Sequence, residues 1–423
     1  MIYDYLIIGG GISGVSMARL LQLSGVESIC LLEAGSEAGG LCRTRRIGPH
    51  VLDTGGGHFL CTKFPEVQNF IFRHLPRTEF NVFQRVSRIV IDGCEVDFPL
   101  ESNLWQLPSS LCAEYLISVV QNGEARGLPP PDHFESWIRW KLGDLIAERY
   151  MLPYNRKIWG VPASEMDIDW LHKIPRIDVR RIVEACLNRE FGREYMPSHA
   201  EFYYPASGGF QQVFDAIAKP VDKFVLTDCP VTTIERENPG GVLCVNGRFR
   251  ARTIINTAPW PTLIRSPIFN EEARQAIGRL RHTQLVVSLH EDAYETDTHW
   301  LYEPDEQLPR HRSFFIHNFA PRSAANGIFR ETNLQRWQAG QGEIHAEINP
   351  FAYPVPSRGW AASVMTVLNH LRPFGVHGLG RWGQWQYFNA DVCIWEAMHL
   401  ADELGHPQWR AGMQSQSSPI LSV

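Results

Sequence analysis

A cluster of glycines near the N-terminus constrains the fold of this chain more than any other feature. Residues 3–8 form a short apolar run, of the length expected for a β-strand buried on both faces, and lead directly into residues 9–14, GGGISG. Residues 15–23 have the composition of a helix, residues 28–32 form a second apolar strand, and Glu33 ends that strand. The order strand, G-x-G-x-x-G, helix, strand and acidic residue predicts a Rossmann-like dinucleotide-binding unit.

The glycine positions suit a dinucleotide phosphate. Gly9 permits a tight turn, Gly11 lets the backbone approach a pyrophosphate, and Gly14 lets the helix pack against the strand. The first N–H groups of the helix and its dipole favour negative charge there, and the Glu33 carboxylate accepts hydrogen bonds from a ribose hydroxyl. The predicted cofactor contacts of this unit are Gly9, Gly11, Ile12, Ser13, Gly14, Glu33 and Ala34.

A second glycine-rich turn indicates which dinucleotide is bound. Residues 39–44, GGLCRT, follow Glu33 at a spacing that resembles the extended fingerprint of FAD-binding proteins of the glutathione-reductase-like, amine-oxidase branch. A nicotinamide-dependent dehydrogenase does not normally carry this turn. FAD is therefore the predicted cofactor, with Gly40 and Leu41 among its contacts.

Length, charge and cysteine pattern argue against several classes of protein. A single core stops growing near about 250–300 residues, so a chain of 423 residues is predicted to form two domains. The net charge of −6 and the lack of a long Lys/Arg run argue against nucleic acid or an anionic membrane as the main partner. No apolar run reaches the roughly 18–20 residues that a membrane-spanning helix needs. The nine cysteines are scattered without a C-x-x-C pair, which predicts no metal site, no disulfide framework and a reducing, cytoplasmic location.

The predicted fold class is α/β, with a Rossmann-like FAD-binding domain of the glutathione-reductase type and a substrate domain that mixes helices with antiparallel sheet. Strand patterns return late in the chain, so the FAD-binding domain is predicted to be discontinuous. Its segments are 1–95, 205–265 and 375–412, a helical substrate region covers 96–204, a sheet-containing substrate region covers 266–374, and 413–423 form a polar tail. Strands are predicted at 224–234, 241–245 and 253–256, and helices at 134–150, 178–190 and 391–404.

Six further segments resemble the UDP-galactopyranose mutase family, in particular its longer, eukaryotic-type branch. They are 51–58 (VLDTGGGH), 96–103 (VDFPLESN), 153–162 (PYNRKIWGVP), 202–209 (FYYPASGG), 300–318 and 380–391 (GRWGQWQYFNAD). The family lies within the FAD-dependent amine oxidase and protoporphyrinogen oxidase-like superfamily. The segments keep the family's order along nearly the whole chain, which is far more specific than any one of them.

The resemblance implies a mutase that interconverts the pyranose and furanose forms of a nucleoside-diphosphate sugar. In that family the reaction has no net redox change: reduced FAD attacks the anomeric carbon of the sugar through N5, and the nucleoside diphosphate leaves. The reduced form of FAD needs an external reductant, and NAD(P)H is one candidate. The implied partner is a small molecule, whereas the electron donor and the oligomeric state, a homodimer included, are left open.

The resemblance also implies roles for individual residues. Arg312 holds the diphosphate through charge-assisted hydrogen bonds, His58 lies on a loop over the flavin, and Tyr387 donates to the phosphates; these three are the implied catalytic residues. The backbone near Val231 pairs with adenine, and Arg381 faces the pyrophosphate or the ribityl chain. The other implied substrate contacts are Phe98, Glu101, Trp159, Arg176, His199, Tyr302, Tyr353 and Asn389. The full set of additional cofactor contacts is Gly57, His58, Val231, Arg381, Tyr387 and Asn389.

Three departures from the family pattern leave the base of the substrate open. A tyrosine and a glutamine that contact uracil in the family correspond to Phe98 and Glu101, and a carboxylate does not both accept and donate as an amide does. His199 replaces an asparagine of the family. The family's second diphosphate arginine has no clear match, and Lys173 and Arg176 are both candidates.

Two other functional classes remain open. A flavin oxidase or dehydrogenase of the amine-oxidase or protoporphyrinogen-oxidase type shares the fingerprint and the domain plan. Lys157 would then be the candidate for a lysine that contacts the flavin through water, although a structural role suits its position better. A non-enzymatic FAD-binding protein is the third class. Within the mutase hypothesis, Arg310 is an alternative to Arg312, and Trp382 and Trp385 are expected to be packing residues.

Overall fold

A computed structural model describes residues 1–171, 178–190, 200–237, 241–291, 294–320 and 326–415. Three predicted or candidate site residues, Lys173, Arg176 and His199, and the tail from residue 416 onward lie outside the described residues. Within the described ranges, no helix is long and apolar enough to cross a membrane.

Strands and helices alternate at the start of the chain, and strands dominate between residues 282 and 354. The strands are β1 (Ile2–Ile8), β2 (Ile29–Leu32), β3 (Thr44–Ile47), β4 (His50–Asp53), β5 (Phe80–Gln84), β6 (Ser87–Ile91), β7 (Cys94–Asp97), β8 (Glu201–Pro205), β9 (Val225–Leu226), β10 (Ile234–Arg236), β11 (Leu243–Val245), β12 (Phe249–Asn256), β13 (His282–Glu291), β14 (Trp300–Tyr302), β15 (Arg310–Phe314), β16 (Gly327–Asn333), β17 (His345–Pro354) and β18 (Val376–Gly378). The helices are α1 (Ile12–Leu23), α2 (Pro65–His74), α3 (Ser109–Val120), α4 (Phe134–Leu142), α5 (Asp144–Ile146), α6 (Leu152–Trp159), α7 (Val179–Asn188), α8 (Gln211–Ala218), α9 (Glu271–Gly278), α10 (Trp360–Leu371), α11 (Gly380–Gly383), α12 (Ala390–Glu403) and α13 (Trp409–Ser415).

The first sheet is built from three separate parts of the chain. Its order is β10-β11-β12-β1-β2-β9, and β18 pairs in parallel with the end of β12. β1 runs parallel to both β12 and β2, so that Ile8 lies between Asn256 and Leu32. Side chains of β1 alternate between two cores: Ile7 packs in the core that contains α1, and Leu6 packs in the core that contains α9 and α10. Burial on both faces is the environment of a parallel sheet covered by helices, as the apolar run at residues 3–8 predicted.

The second sheet is mostly antiparallel, with the order β17-β13-β16-β15-β14-β6-β7. β14 pairs in parallel with β6, which brings the segment after residue 85 next to Tyr302. The register between β15 and β16 places Arg312 directly opposite Glu331. Two strand pairs, β3 with β4 and β5 with β8, lie outside both large sheets.

The predicted fold class is confirmed: a Rossmann-like sheet, parallel except at β10, β11 and the start of β12, is joined to a region of helices and largely antiparallel sheet. The domain boundaries stay a prediction. The parallel sheet does draw on early, middle and late segments of the chain, whereas the division predicted at residue 95 falls inside β7, a strand of the second sheet.

The single helix predicted at 134–150 is interrupted. α4 ends at Leu142 because Gly143 has a φ of +83°, and a side chain there would lie 2.4 Å from the Ser118 carbonyl oxygen. The chain then passes through α5 and a π-helical turn, Ala147–Met151, before α6 begins.

The strand predicted at 224–234 is also divided. β9 covers only Val225–Leu226, and β10 begins at Ile234. Between them Asp228 has a φ of +50°, and the Cys229 N–H donates to the Glu33 carbonyl oxygen at 2.8 Å, so the segment folds across the end of β2 instead of extending.

Candidate functional site

The glycine-rich turn after β1 has the geometry that its sequence predicts. Gly9 has a φ of +100°, and a Cβ at Gly14 would lie 2.0 Å from the Gly9 carbonyl oxygen, so only glycine allows α1 to pack on the turn. A Cβ at Gly11 would meet nothing within 4 Å, and no side chain caps the start of α1. Open space therefore faces unpaired helix N–H groups, as a bound phosphate requires.

Glu33 fastens this turn to the end of β2. Its Oε2 accepts from the Gly10 N–H at 2.7 Å, and its Oε1 accepts from the Gly35 N–H at 2.8 Å. Each carboxylate oxygen keeps a further lone pair that could accept from a ribose hydroxyl. Half-buried Val231 follows the segment that crosses the end of β2, so the residue predicted near adenine lies on the Glu33 side of the turn.

Two later segments close the cradle around the first turn. The Gly39 N–H donates to the Gly10 carbonyl oxygen at 2.9 Å, and a Cβ at Gly40 would lie 3.3 Å from the Gly11 Cα. From the other end of the chain, Gly380 has a φ of +72°, and a Cβ there would lie 2.0 Å from Ser13 Oγ. The predicted contacts Gly11, Ser13 and Gly40 are thus brought together in a cradle that fits a dinucleotide.

A buried aspartate anchors the loop that carries His58. Asp53, at the end of β4, accepts from Thr44 Oγ1 at 2.6 Å, from the Tyr204 hydroxyl at 2.8 Å and from the Phe210 N–H at 3.1 Å. Burial raises the pKa of Asp53 to about 6, although all three hydrogen bonds lower it. The anchor fixes the start of residues 55–58.

The loop itself packs tightly against the second sheet. A Cβ at Gly56 would lie 2.1 Å from Glu331 Oε1, and one at Gly57 would lie 2.8 Å from Trp300 Nε1. His58 stacks on Phe210 with ring centroids 5.3 Å apart, and its Nδ1 lies 3.0 Å from the Gly56 carbonyl oxygen. Burial, together with the positive charges of Arg381 and Arg312, lowers the pKa of His58 to about 4. The imidazole is therefore neutral at pH 7.

Arg312, predicted to hold a diphosphate, already has a carboxylate partner. Its Nε and Nη2 donate to the two oxygens of Glu331 at 2.5 and 2.9 Å, and Nη2 lies 3.4 Å from the Tyr353 hydroxyl. Glu331 is fully buried, and Arg312 together with His311 holds the pKa of its carboxyl at about 2. Glu331 thus fixes the orientation of the guanidinium and is its counter-ion. Arg310, the alternative to Arg312, is paired with Glu303 at 2.8 and 2.9 Å.

Arg85 is a second guanidinium in this region, and no motif of the sequence had indicated it. Its Nη2 donates to the Tyr302 hydroxyl at 2.7 Å and its Nε donates to Ser87 Oγ at 2.8 Å, while the guanidinium lies 4.8 Å from the Trp300 ring centroid. Among the described residues no carboxylate pairs with Arg85, and burial lowers its pKa. An arginine with an uncompensated charge beside a tyrosine is a candidate anion site. Arg85 stands in no sequence motif. Its position beside Tyr302 follows from the pairing of β14 with β6.

Three of the predicted aromatic residues form one wall. The rings of Tyr353 and Tyr387 meet edge to face at 4.8 Å, and Trp159 lies 6.1 Å from Tyr353 and 5.7 Å from Tyr387. The Arg381 guanidinium lies over both tyrosine rings, at 5.3 and 5.8 Å.

The structure gives Arg381 other hydrogen-bond partners than those expected. Its Nε and Nη2 donate to the Phe388 carbonyl oxygen at 2.9 and 2.7 Å, and its Nη1 donates to the Ala352 carbonyl oxygen at 2.9 Å. These bonds tie the tyrosine wall to β17 and occupy most donors of the guanidinium, so its contact with a cofactor stays a prediction. Asn389 is exposed and stands just before α12, without a side-chain cap, and its role beside the wall stays a prediction.

Lys157 lies inside the protein, in agreement with the structural role expected from its sequence position. The residue is completely buried, and its Nζ donates to the carbonyl oxygens of Glu303 and Asp305 at 2.6 and 2.7 Å. Trp385 is 1% exposed in the core of the first sheet, and Trp382 packs against the same core, as expected of packing residues.

Phe98, which shortly precedes Glu101 in the chain, packs against Tyr302. The Phe98 and Tyr302 rings are 5.3 Å apart, and Tyr302 in turn lies 5.5 Å from Tyr154. Glu101 is 4% exposed. Near the His58 loop, neighbouring side chains form one cluster, here called the charged pocket: Arg312, Arg85, Tyr302 and Phe98.

Comparisons with known proteins agree with this cradle and fold. The NAD(P)-binding Rossmann-like domain family matches residues 7–74, and the flavin containing amine oxidoreductase family matches residues 142–320. The chain therefore has the fold of the flavin-dependent amine oxidoreductases, and these matches support FAD as its cofactor.

Within that class, the chain resembles UDP-galactopyranose mutases over nearly its whole length. It is 20% identical to UDP-galactopyranose mutase of Mycoplasma pneumoniae, over 95% of this chain and 96% of that protein. The crystal structure of a reduced UDP-galactopyranose mutase has a TM-score of 0.84 at 20% identity, covering 99% of this chain and 98% of that one. A proposed protoporphyrinogen oxidase from Exiguobacterium has a TM-score of 0.73 at 15% identity, covering 95% and 98%. The resemblance indicated by the motifs is confirmed.

Proposed function

We propose that the protein is a flavin-dependent mutase that interconverts the pyranose and furanose forms of a nucleoside-diphosphate sugar. The observation that carries this proposal is the pair of guanidiniums, Arg85 and Arg312, beside Tyr302 and Tyr353 and next to the His58 loop. Two cations and two phenols at the border of a dinucleotide cradle suit a diphosphate leaving group better than an amine or a porphyrin substrate.

The chemistry follows from where charge develops. Reduced FAD would supply a nucleophilic nitrogen to the anomeric carbon of the sugar. As the bond between that carbon and the diphosphate oxygen breaks, its electron pair goes to the diphosphate. Arg85 and Arg312 stabilise the negative charge that appears there, and Tyr353 donates a hydrogen bond to it.

Neighbouring residues keep these cations available. Glu331 holds the Arg312 fork in one orientation, so that the guanidinium needs no reorganisation when charge develops. His58, which is neutral at pH 7, neither competes for the diphosphate nor repels the two arginines. The edge-to-face rings of Tyr387 and Trp159 exclude water from the opposite side.

The alternative is a flavin oxidoreductase, because a proposed protoporphyrinogen oxidase shares the fold. The position of Lys157 speaks against the amine-oxidase form of this alternative. Its ammonium group is fixed by two backbone carbonyl oxygens inside the protein, so it is not placed to contact a flavin through water.

The two functions differ in a direct assay. The flavin-loaded protein is reduced anaerobically and incubated with uridine- and guanosine-diphosphate hexopyranoses and hexofuranoses, and the ring size of the sugar is followed by chromatography. Interconversion without flavin oxidation supports the mutase. Reduction of oxidised flavin by an amine or a porphyrinogen, with hydrogen peroxide formed in air and no change of ring size, would establish the oxidoreductase instead.

A matched pair of variants tests the anion site in the same assay. Arg85→Met should lower kcat/KM by about 100-fold, in the range expected for loss of one member of a close charge pair, while the FAD content stays normal. Arg156→Met is the control, because Arg156 is 54% exposed and, in the part of the chain that the structure describes, its one ion-pair partner is Glu306 at the surface. Equal turnover by the two variants would contradict the assignment of Arg85.

A further inference from the structure

The strand β17 leaves one side of the second sheet open to pairing. It stands at one end of the strand order of that sheet, and it pairs with β13 on one side from His345 to Asn349. Within the described ranges, no backbone hydrogen bond joins the other side of this stretch to another segment. The free N–H and C=O groups of an edge strand are a template for a further strand.

The opposite edge of the same sheet is protected, whereas β17 is not. β7 is only four residues long and carries Glu95 and Asp97, whose like charges oppose pairing with a second copy of the strand. On the β17 side, Ile344 and Ile348 are 49% and 51% exposed. Ile344 extends β17 by one residue, because its N–H donates to the Leu289 carbonyl oxygen at 2.9 Å. An edge with exposed isoleucines favours pairing, which short and charged edges prevent.

Residues 344–348, IHAEI, are complementary to themselves. Side chains alternate along a strand, so Ile344, Ala346 and Ile348 share one face. His345 and Glu347 share the other face, where His345 Nε2 lies 3.0 Å from Glu347 Oε1. In an antiparallel pair with a twofold axis at Ala346, Ile344 lies opposite Ile348 of the second copy. In the same pair His345 lies opposite Glu347 of the second copy.

A shift of the axis by one residue loses this match. An axis at His345 would place Ile344 opposite Ala346 and two imidazoles opposite each other. An axis at Glu347 would place two carboxylates opposite each other, which is destabilising. The axis at Ala346 pairs apolar side chains on one face and a carboxylate with an imidazole on the other. Pro350, which has no N–H to donate, limits the paired stretch at its C-terminal end.

We propose that β17 pairs with β17 of a second copy of this chain, antiparallel and about a twofold axis at Ala346. The second sheets of the two copies then continue into each other across the axis. The contact uses the same surface on both copies, so it closes as a dimer and adds no further subunits. The proposal does not depend on the proposed function, because residues 344–348 belong neither to the glycine cradle nor to the charged pocket.

The oligomeric state of the flavin-loaded protein tests the proposal. Sedimentation equilibrium gives the dimer dissociation constants of the wild type, of Ile348→Lys and of Met365→Lys. Met365 is 53% exposed on α10, outside the second sheet, so its variant is the matched control. We expect dimers for the wild type and for Met365→Lys. Ile348→Lys should raise the dissociation constant at least about 100-fold, because the axis places each of two lysines against an isoleucine.

Two cysteine variants test the register. Ala346→Cys brings two thiols together at the axis, and added oxidised glutathione, which takes up the two electrons and two protons, should leave them joined by a disulfide. In Ile348→Cys the two new thiols are four residues apart along the paired strands, about 13 Å, which is too far for a disulfide. We expect a linked dimer on a non-reducing gel for Ala346→Cys, and no more than the wild-type background for Ile348→Cys.

Three results would overturn the proposal. A monomeric wild type would leave this edge to solvent or to a different protein. A dimer that Ile348→Lys leaves intact would mean that the subunits meet elsewhere. A disulfide in Ile348→Cys with none in Ala346→Cys would contradict the axis at Ala346. Flavin content reports the fold of each variant, and the cysteine pair decides the outcome if Ile348→Lys loses its flavin.

Discussion

The glycine cradle depends on main-chain atoms, whereas the charged pocket depends on side chains. The cradle uses backbone: Gly14 and Gly380 matter because a Cβ would occupy space that another main-chain or side-chain atom already fills. The pocket uses side chains that different strands bring together, such as Arg312 on β15 and Glu331 on β16. A site of the first kind has a local sequence signature, and one of the second kind needs the tertiary fold to exist.

The largest expected effect lies in the cradle. Gly14→Ala places a Cβ 2.0 Å from the Gly9 carbonyl oxygen, which cannot move without displacing the turn, so the free energy of unfolding should fall by more than about 4 kcal/mol, at the upper end of what overpacking causes. Urea denaturation and the flavin content of the purified protein measure this. Gly11→Ala is the control. Its Cβ meets nothing within 4 Å, so stability should change by less than about 1 kcal/mol while flavin binding weakens. A stable, flavin-loaded Gly14→Ala protein would show that the cradle does not require glycine at position 14.

The next effect lies in the pocket. Glu331→Gln leaves the Arg312 guanidinium without its carboxylate in a buried place, and should lower the free energy of unfolding by about 3–5 kcal/mol. Glu306→Gln removes the partner of Arg156 at the surface, where both side chains are about half exposed, and should cost less than about 1 kcal/mol. Urea denaturation of both variants at pH 7 compares them directly. Similar losses would mean that the pocket pair is no more than another surface contact.

The smallest of the three effects is the change with pH in what the Arg312–Glu331 pair contributes to the free energy of unfolding. The pKa of Glu331 is about 2 in the folded protein, below its ordinary 4.5, so its stabilising contribution is fully present above pH 4.5 and is lost as the pH falls through 2. The gap in unfolding free energy between wild type and Glu331→Gln should be about 2 kcal/mol narrower at pH 3 than at pH 7. Denaturation curves at both values, with Glu306→Gln beside them, provide the measurement. A gap that is independent of pH would show that charge does not stabilise the pair.

The sequence predicted the parts of the molecule that depend on local backbone rules. The strand, turn and helix around Gly9, Gly11 and Gly14 follow from positive φ angles and close approach, which glycine permits. The apolar run at residues 3–8 also predicted a strand buried on both faces, and the end of β1 is buried from Leu6 to Ile8. The prediction failed where a glycine interrupts a helical apolar pattern. Gly143 has a positive φ and divides the helix expected at 134–150, although apolar residues continue at helical spacing beyond Gly143.

The pocket was only partly predictable. The motif resemblance gave Arg312, Tyr353 and Tyr387, which the structure does bring near one another. It gave neither Glu331 nor Arg85, because the first is chosen by the register of β15 against β16 and the second by the pairing of β14 with β6. Neither strand pairing can be recognised from the residues that neighbour Glu331 or Arg85 in the sequence.

The close approach of Gly380 to Ser13 has a consequence for folding. Gly380, and the strand β18 that widens the first sheet, lie far along the chain from the glycine-rich turn that they complete. A contact between residues so distant in sequence carries the entropy cost of closing a long loop and slows folding. The turn that local sequence specifies best is therefore completed only when distant segments of the chain have met.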